Sequence, residues 1–354
     1  MPEEQKREET APHKRRVRYK GTHPRKFEEK YKELQPEKYA ETVQHIIEKG
    51  GTPAGMHRPI MVKEILDVLS IKPGEHGLDA TLGYGGHTRA MLRALAGSGH
   101  LCALDIDPIE SAKTVARLRT EGITEAQFGF RLLNFAKIDE AAAEEGLFDF
   151  VLADLGVSSM QIDDPSRGFS YKTDGPLDLR LDPMHGERAA ERLCGASKEE
   201  LCGMFMENAD EPYAAEIAAA IVKRQKKGPK IKRTAELAAV IEEALSFVPE
   251  KERKEAVKKS CQRVFQALRI DVNQEYEVLY AFLEKLPAIL KPGGRAAILT
   301  FHSGEDRLVK KSLKEGLREG VYASVSEDVI RPSRAECIEN SRARSTKLRW
   351  AVRA

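Results

Sequence analysis

Residues 79–89 read DATLGYGGHTR. The run GLDATL (77–82) leading into them reads as a short strand, and HTRAMLRAL (87–95) as a helix. A glycine-rich turn between a strand and a helix offers backbone N–H groups to a ligand at the helix start. Working outward, MVKEILDVL (61–69) is an amphipathic helix, HLCALDID (100–107) a strand ending in carboxylates, and SAKTVARLR (111–119) a helix. FGFRLLNF (128–135) and FDFVLAD (148–154) are further strands. Strands alternating with helical runs predict a parallel sheet with helices on both faces.

The alternation stops there. Between 163 and 264, KEELCGMFM, YAAEIAAAIVKR, AELAAVIEEAL and EKERKEAVKK read as helices separated by Pro and Gly breaks. FQALRIDVNQEYEVLYAFLEKLPAIL (265–290) is a long helical pattern with a break expected at Pro287. KPGG (291–294) is a turn, RAAILTF (295–301) a buried strand, and VYASVSEDVI (321–330) with TKLRWAVR (346–353) a closing antiparallel pair. The expected organisation is a basic N-terminal extension (1–56), a first core part (57–162), an all-helical insertion for substrate recognition (163–264) and a second core part (265–354). Within the extension, PEKYAETVQHIIEKGG (36–51) places Tyr39, Val43, Ile46 and Ile47 on one helical face, between Pro36 and Gly50.

Composition narrows the class. The 354 residues are 41% hydrophobic and 6% aromatic, as in soluble globular proteins. No apolar run reaches the ~18 residues of a membrane span. The first residues, MPEEQKREET, lack the apolar centre of a signal peptide, so a cytoplasmic location is expected. Five cysteines lie far apart without CxxC or Cys/His zinc spacing, so free thiols and no metal site are expected. Net charge is only +2, yet HKRRVRYK (13–20), KRQKKGPKIKR (223–233) and RARSTKLRWAVR (342–353) are strongly basic, which points to a polyanionic partner.

Three ligands could use the glycine turn. A P-loop needs GxxxxGK[ST], but His87 and Thr88 follow Gly86, and no lysine is present. A dinucleotide turn needs GxGxxG; Gly83 and Gly85 fit, while Thr88 stands at the third position. S-adenosylmethionine has no phosphate and needs only close backbone approach and an acidic ribose clamp. Asp105 ends the next strand at a spacing that suits such a clamp. The loop and the acidic strand end leave this cofactor and NAD both open.

Further blocks carry a resemblance. HRPIMVKEIL (57–66), DATLGYGGHT (79–88), ALDIDP (103–108), ADLGVSSMQIDDPSRGFSYKTDGPLDLRLDP (153–183), FQALRIDVN (265–273), GGRAAILTFHSGEDRLVK (293–310) and NSRARSTKLR (340–349) stand in the order found in the RsmH (MraW) family. The chain resembles that family from about 57 to 354. The resemblance implies a class I (Rossmann-like) S-adenosyl-L-methionine-dependent methyltransferase, α/β, with a doubly wound sheet and an inserted all-helical domain. It implies methylation of N4 of a cytidine in the decoding region of 16S rRNA (cytidine 1402 in the standard rRNA numbering). The implied partner is 16S rRNA within the small ribosomal subunit, with no membrane; a homodimer is kept open. The alternatives are a methyltransferase for a different RNA site and a non-catalytic RNA-binding assembly factor.

Carried over by position, Gly85, Gly86 and His87 match contacts to the methionine end of the cofactor, Asp105 the ribose clamp, Phe135 a neighbour of the adenine, and Asp154 and Gln161 the remaining contacts. Asp154 and His302 are the catalytic candidates, although Asp154-Leu155-Gly156-Val157 lacks the prolines and aromatic of many amino-methyltransferases. Lys226, Lys227, Lys230, Arg342, Arg344 and Lys347 are candidate phosphate contacts. The chain departs from the family pattern in its basic extension, at Gly304, where a leucine is usual, and in KKSCQRV (258–264), where His-Pro-Ala-Thr-Arg is usual.

Overall fold

Leu101, Cys102, Ala103 and Leu104 are consecutive and all fully buried. A strand can hide four successive side chains only if both faces of its sheet are covered. The computed structural model, which describes residues 59–354, shows that arrangement. The helix expected within 36–51, like the rest of the extension, lies outside the described residues.

The first half alternates: α1 (Val62–Leu69), β1 (His76–Asp79), α2 (Gly86–Ala94), β2 (His100–Asp105), α3 (Pro108–Thr120), β3 (Phe128–Leu132), α4 (Ile138–Glu145) and β4 (Phe148–Asp154). Next come α5 (Ser159–Asp163), α6 (Ala189–Gly195), α7 (Lys198–Ala209), α8 (Ala214–Lys227), α9 (Thr234–Ala244), α10 (Glu250–Asn273) and α11 (Glu275–Ile289). The chain closes with β5 (Leu290–Thr300), α12 (Ser303–Arg318), β6 (Tyr322–Val325), α13 (Arg334–Glu339) and β7 (Lys347–Arg353). The strand order is β3-β2-β1-β4-β5-β7-β6. β1 to β5 are parallel, and β7 runs antiparallel to both of its neighbours. The order reverses between β1 and β4, and in such sheets ligands bind beyond the carboxyl ends of the strands at that reversal.

Three differences from the sequence reading have local causes. β1 stops at Asp79, whose carboxylate accepts the Thr81 N–H and so takes that donor out of the strand ladder. The helical break falls at Gln274, in left-handed conformation (φ 50), whereas Pro287 sits inside α11 near its C-terminal end. The boundary expected at 264 lies within α10, which runs unbroken from Glu250 to Asn273.

Two apolar layers cover the sheet. On one face Leu78, Leu104, Phe148 and Val151 pack with Phe282 and Leu286 of α11 and Val309 of α12. On the other, Phe150 and Leu152 pack with Ile65 and Leu69 of α1 and Met91 of α2. A register irregularity at Phe148/Phe150 turns these two aromatics to opposite faces. A separate core joins Leu201 and Phe205 of α7, Ile217 and Ile221 of α8, Leu237 and Ile241 of α9, and Val264 and Leu268 of α10. Among the described residues, no helix is long and apolar enough to cross a membrane.

One buried ion pair ties the block after β4 to the end of β2. Asp107 is 1% exposed and N-caps α3, its Oδ1 accepting from the N–H groups of Ile109 and Glu110. Its Oδ2 accepts from Arg167 Nη1 at 2.7 Å and from Gln161 Nε2 at 2.8 Å. Arg167 spends Nη2 on the carbonyls of Arg180 and Leu181. Removing one member of a buried pair strands the other charge away from water. Arg167→Met is therefore expected to lower unfolding stability by about 3–5 kcal/mol in urea denaturation. The exposed Arg233–Asp174 pair provides the contrast, since water screens it and Arg233→Met should leave the urea midpoint nearly unchanged.

Candidate active site

A cavity of about 400 Å³ opens at the carboxyl ends of β1, β2 and β4, where the strand order reverses. Gly83, Gly86, His87, Asp105, Phe135, Asp154 and Gln161 are among its walls, with Arg269, Phe301, Asn340 and Arg342 around them.

Three strand-end carboxylates with different surroundings lie at this end of the sheet, Asp105 and Asp154 lining the cavity and Asp79 buried behind it. Asp79 is fully buried, and its two oxygens accept from the Thr88 hydroxyl at 2.7 Å and the Thr81 N–H at 3.1 Å. Burial pushes its carboxyl up to about 6 while the Thr88 hydrogen bond opposes that rise. It therefore braces the glycine turn. Thr81 in turn accepts the Asp154 N–H at 2.8 Å, which joins the ends of β1 and β4. Asp105 is half-buried and accepts from the Asp107 and Gly83 N–H groups at 2.9 and 2.8 Å. Each of its oxygens keeps capacity for a further donor. Burial pushes this carboxyl up to about 6 as well, against the backbone N–H groups that hold it down.

Asp154 is the least satisfied of the three. Its Oδ1 is buried and makes no hydrogen bond, while Oδ2 lies 3.4 Å from His87 Nε2, itself buried without a hydrogen-bond partner. Buried polar atoms are normally paired, so two orphans facing one cavity mark a place where a ligand completes the bonding.

The remaining expected residues fall on and off this cavity. Gly85 is not a wall; it N-caps α2 at φ 70, and a side chain there would press on Thr114 at 3.0 Å. Phe135 meets Phe282 edge-on at 5.4 Å and still forms part of the wall. Gln161 is held at both ends, Oε1 accepting from Ser158 N–H and Nε2 donating to Asp107, so it shapes the wall. His302 caps α12 and faces a neighbouring cleft of about 790 Å³, with Nε2 3.1 Å from Glu305 Oε1. Phe301, one residue earlier, is the member of that strand end that reaches the cavity.

The basic residues divide in the same way. Lys226, Lys227, Lys230 and Arg344 are exposed. Arg342 is a cavity wall whose Nη2 donates to Asp163 at 2.9 Å. Lys347 pairs with Asp306 at 3.0 Å, beside Arg349 at 2.7 Å. Burial favours the neutral Asp306 carboxyl, but these two cations outweigh it and hold it below the usual range. Asp107, Arg167 and Arg269 were missed as site residues. Asp107 alone carried a signal, since an aspartate before Pro108 is a helix-start pattern.

The departures from the family pattern also have places. A side chain at Gly304 would meet the Tyr276 hydroxyl at 2.0 Å, so the glycine makes room for that ring. In the 258–264 stretch, buried Ser260 donates to Glu211 at 2.9 Å.

A doubly wound sheet with a glycine turn, an acidic second-strand end and an open cavity at the reversal defines a class I, Rossmann-like fold for an adenosine-containing cofactor. The MraW methylase family model matches residues 54–354, and the chain belongs to that family. It is 64% identical to ribosomal RNA small subunit methyltransferase H 1 of Agathobacter rectalis, over 97% of this chain and 98% of that one. It is 59% identical to ribosomal RNA small subunit methyltransferase H 2 of Alkaliphilus metalliredigens, over 96% and 97%. Membership bears out the resemblance and, with it, S-adenosylmethionine as the cofactor. The site fits that molecule: the orphaned polar atoms and the half-satisfied Asp105 face one cavity that has an aromatic wall.

If Asp105 accepts the ribose hydroxyls, it does so best when ionised. Affinity for S-adenosylhomocysteine, measured by calorimetry, should then be level above pH about 6 and weaken as pH falls through that value. Asp105→Asn should bind more weakly at high pH and lose this dependence.

Proposed function

We propose that this chain transfers a methyl group from S-adenosylmethionine to the N4 amine of cytidine 1402 (standard rRNA numbering) of 16S rRNA, within the small ribosomal subunit in the cytoplasm. Support comes from membership of a methylase family and from relatives matched end to end that are named for small-subunit rRNA methylation. The observation that carries the chemistry is Asp154 Oδ1, a buried acceptor with nothing to accept from.

The cofactor, when bound, supplies an electrophilic methyl group on a sulfonium. The backbone around Gly83 and Gly86 would receive its amino-acid end, Asp105 its ribose and Phe135 its adenine. A cytosine amine is a poor nucleophile, because its lone pair is drawn into the ring. Asp154 accepts a hydrogen bond from that amine and draws the lone pair back towards nitrogen. As the amine takes the methyl group, whose former bonding pair stays on sulfur in the departing thioether, it gives up a proton, and the Asp154 carboxylate receives it. Until that proton arrives, His87 Nε2, 3.4 Å from the other carboxylate oxygen, steadies the negative charge. Alignment contributes more than basicity here, since in-line placement is worth roughly 7–11 kcal/mol. His302 faces the adjoining cleft and acts, on this reading, by holding the start of α12 beneath Phe301.

A paired and stacked base cannot reach such a cavity and must be extruded. The helical segment 163–264 serves RNA recognition, with the exposed Lys226, Lys227 and Lys230 at the end of α8 and Arg344 nearer the C-terminus as phosphate contacts. Arg342, on the cavity wall, meets the flipped nucleotide itself.

Two measurements test this reading. Asp154→Ala should slow single-turnover methylation of unmodified small subunits by about 10²–10⁴-fold at saturating S-adenosylmethionine. Nucleosides resolved by mass should carry the label as N4-methylcytidine. Label in another nucleoside would move the chain to a different RNA site, and cofactor-free RNA binding without turnover would make it an assembly factor. Replacing Lys226, Lys227 and Lys230 by Gln should weaken RNA binding and flatten its salt dependence by up to about three charges' worth of slope.

A further inference from the structure

His76 opens β1, His100 opens β2, and the two stand opposite one another in the sheet register. Glu145 ends α4 above them. Their ligand atoms, one from each side chain, lie within 4.8 Å of one another. This group sits at the amino ends of the strands, away from the cavity at their carboxyl ends.

Each of the three atoms is left over from another commitment. His100 Nδ1 lies 2.9 Å from the Ala126 carbonyl, which can only accept. The proton must then be on Nδ1, and Nε2 carries its lone pair outward. Glu145 Oε1 accepts from Arg131 Nη2 at 2.7 Å, whereas Oε2 accepts no hydrogen bond among the described residues. Glu145 Oε2 stands 3.9 Å from both His76 Nε2 and His100 Nε2, too far for hydrogen bonds. His76 Nε2 is buried and has no partner. Approach to this point is also kept open: a side chain at Gly129 would stand 3.1 Å from His100 Nε2.

We propose that His76, His100 and Glu145 form a binding site for a zinc-class divalent transition-metal ion. Two imidazoles and one carboxylate are a familiar zinc set, with ligand bonds of about 2.0–2.2 Å. Drawing the three atoms onto one ion requires them to close by less than a bond length, which side-chain rotation supplies. The Ala126 carbonyl on His100 and the Arg131 guanidinium on Glu145 are the outer partners that orient ligands in metal sites. The ion would clamp β1, β2 and α4 at the end of the sheet opposite the chemistry, so it stabilises the fold and takes no part in methyl transfer. The other His/Glu group, Glu275, His302 and Glu305, is less suited, because Arg269 already holds both oxygens of Glu275.

The test uses tag-free, chelator-stripped full chain titrated with Zn²⁺ by calorimetry and with Co²⁺ by visible absorption. The expected result is one site per chain, ligand-field bands with Co²⁺, and a rise in melting temperature with Zn²⁺. His100→Ala should lose the site. Arg131→Met, which keeps all three ligands, should weaken it by about 10–100-fold. His302→Ala should retain it. Wild-type protein that is folded by circular dichroism yet gives neither heat nor cobalt bands overturns the proposal without recourse to any variant. Metal binding that survives in His100→Ala, or disappears in His302→Ala, overturns it as well.

Discussion

The Asp107–Arg167 pair is the contact on which the site depends. Asp107 belongs to the loop after β2, and Arg167 to the chain leaving β4. Their union brings Gln161 against the same carboxylate and fixes the Arg180 and Leu181 carbonyls above it. One aspartate thereby starts α3, holds the neighbouring Asp105 carboxylate through its own backbone N–H and closes the side wall of the cavity. Two charges in a dry place cost much desolvation, and their mutual attraction offsets it only when every remaining donor and acceptor is used. Asp107 meets that condition with two backbone and two side-chain donors. The geometry around it is consequently stiff, as a site that works by alignment requires.

The three strand-end carboxylates show how differing satisfaction separates structure from chemistry. Asp79 has spent both oxygens on Thr81 and Thr88 and has no exposed surface, so nothing is left for a ligand. Asp105 has one backbone donor on each oxygen and remains half-open, which suits a partner with two hydroxyls. Asp154 has its backbone held by Thr81 but one oxygen unpaired. The same residue type at equivalent sheet positions can thus be brace, clamp or acceptor, and the count of neighbouring donors decides which.

This explains what could be read in the sequence. Strand and helix alternation, the glycine turn and the acidic end of β2 are local patterns, visible within a few residues. So was the helical character of the chain between β4 and β5. The pairing of Asp107 with Arg167 was not legible, because it spans sixty residues; only the helix-start role of Asp107 before Pro108 has a local trace. Lys347 lies in a basic run that resembles a phosphate-binding tail. Asp306, its partner on α12, comes from a distant part of the chain and could not be foreseen. The break at Gln274 was hidden for a different reason. Pro287 is the stronger breaker in principle, but near the end of α11 it interrupts little, whereas a left-handed residue turns the chain wherever packing requires.

The glycine-turn cavity and the cleft beside it bear on how RNA reaches the site. The cleft of about 790 Å³ between α7, α10 and α11 is nearly twice the size of the glycine-turn cavity. Its lining includes Glu207, Asp210, Glu277 and Glu284 against Arg263 and Arg307. A surplus of carboxylates repels a phosphate backbone, and exposed like charges steer a polyanion elsewhere. The cationic surface lies instead at the end of α8 and around Arg344, with Arg342 on the wall of the smaller cavity. On the proposed function, the strand therefore travels along the basic side and turns one base past Arg342 towards Asp154. The larger cleft stays outside that path.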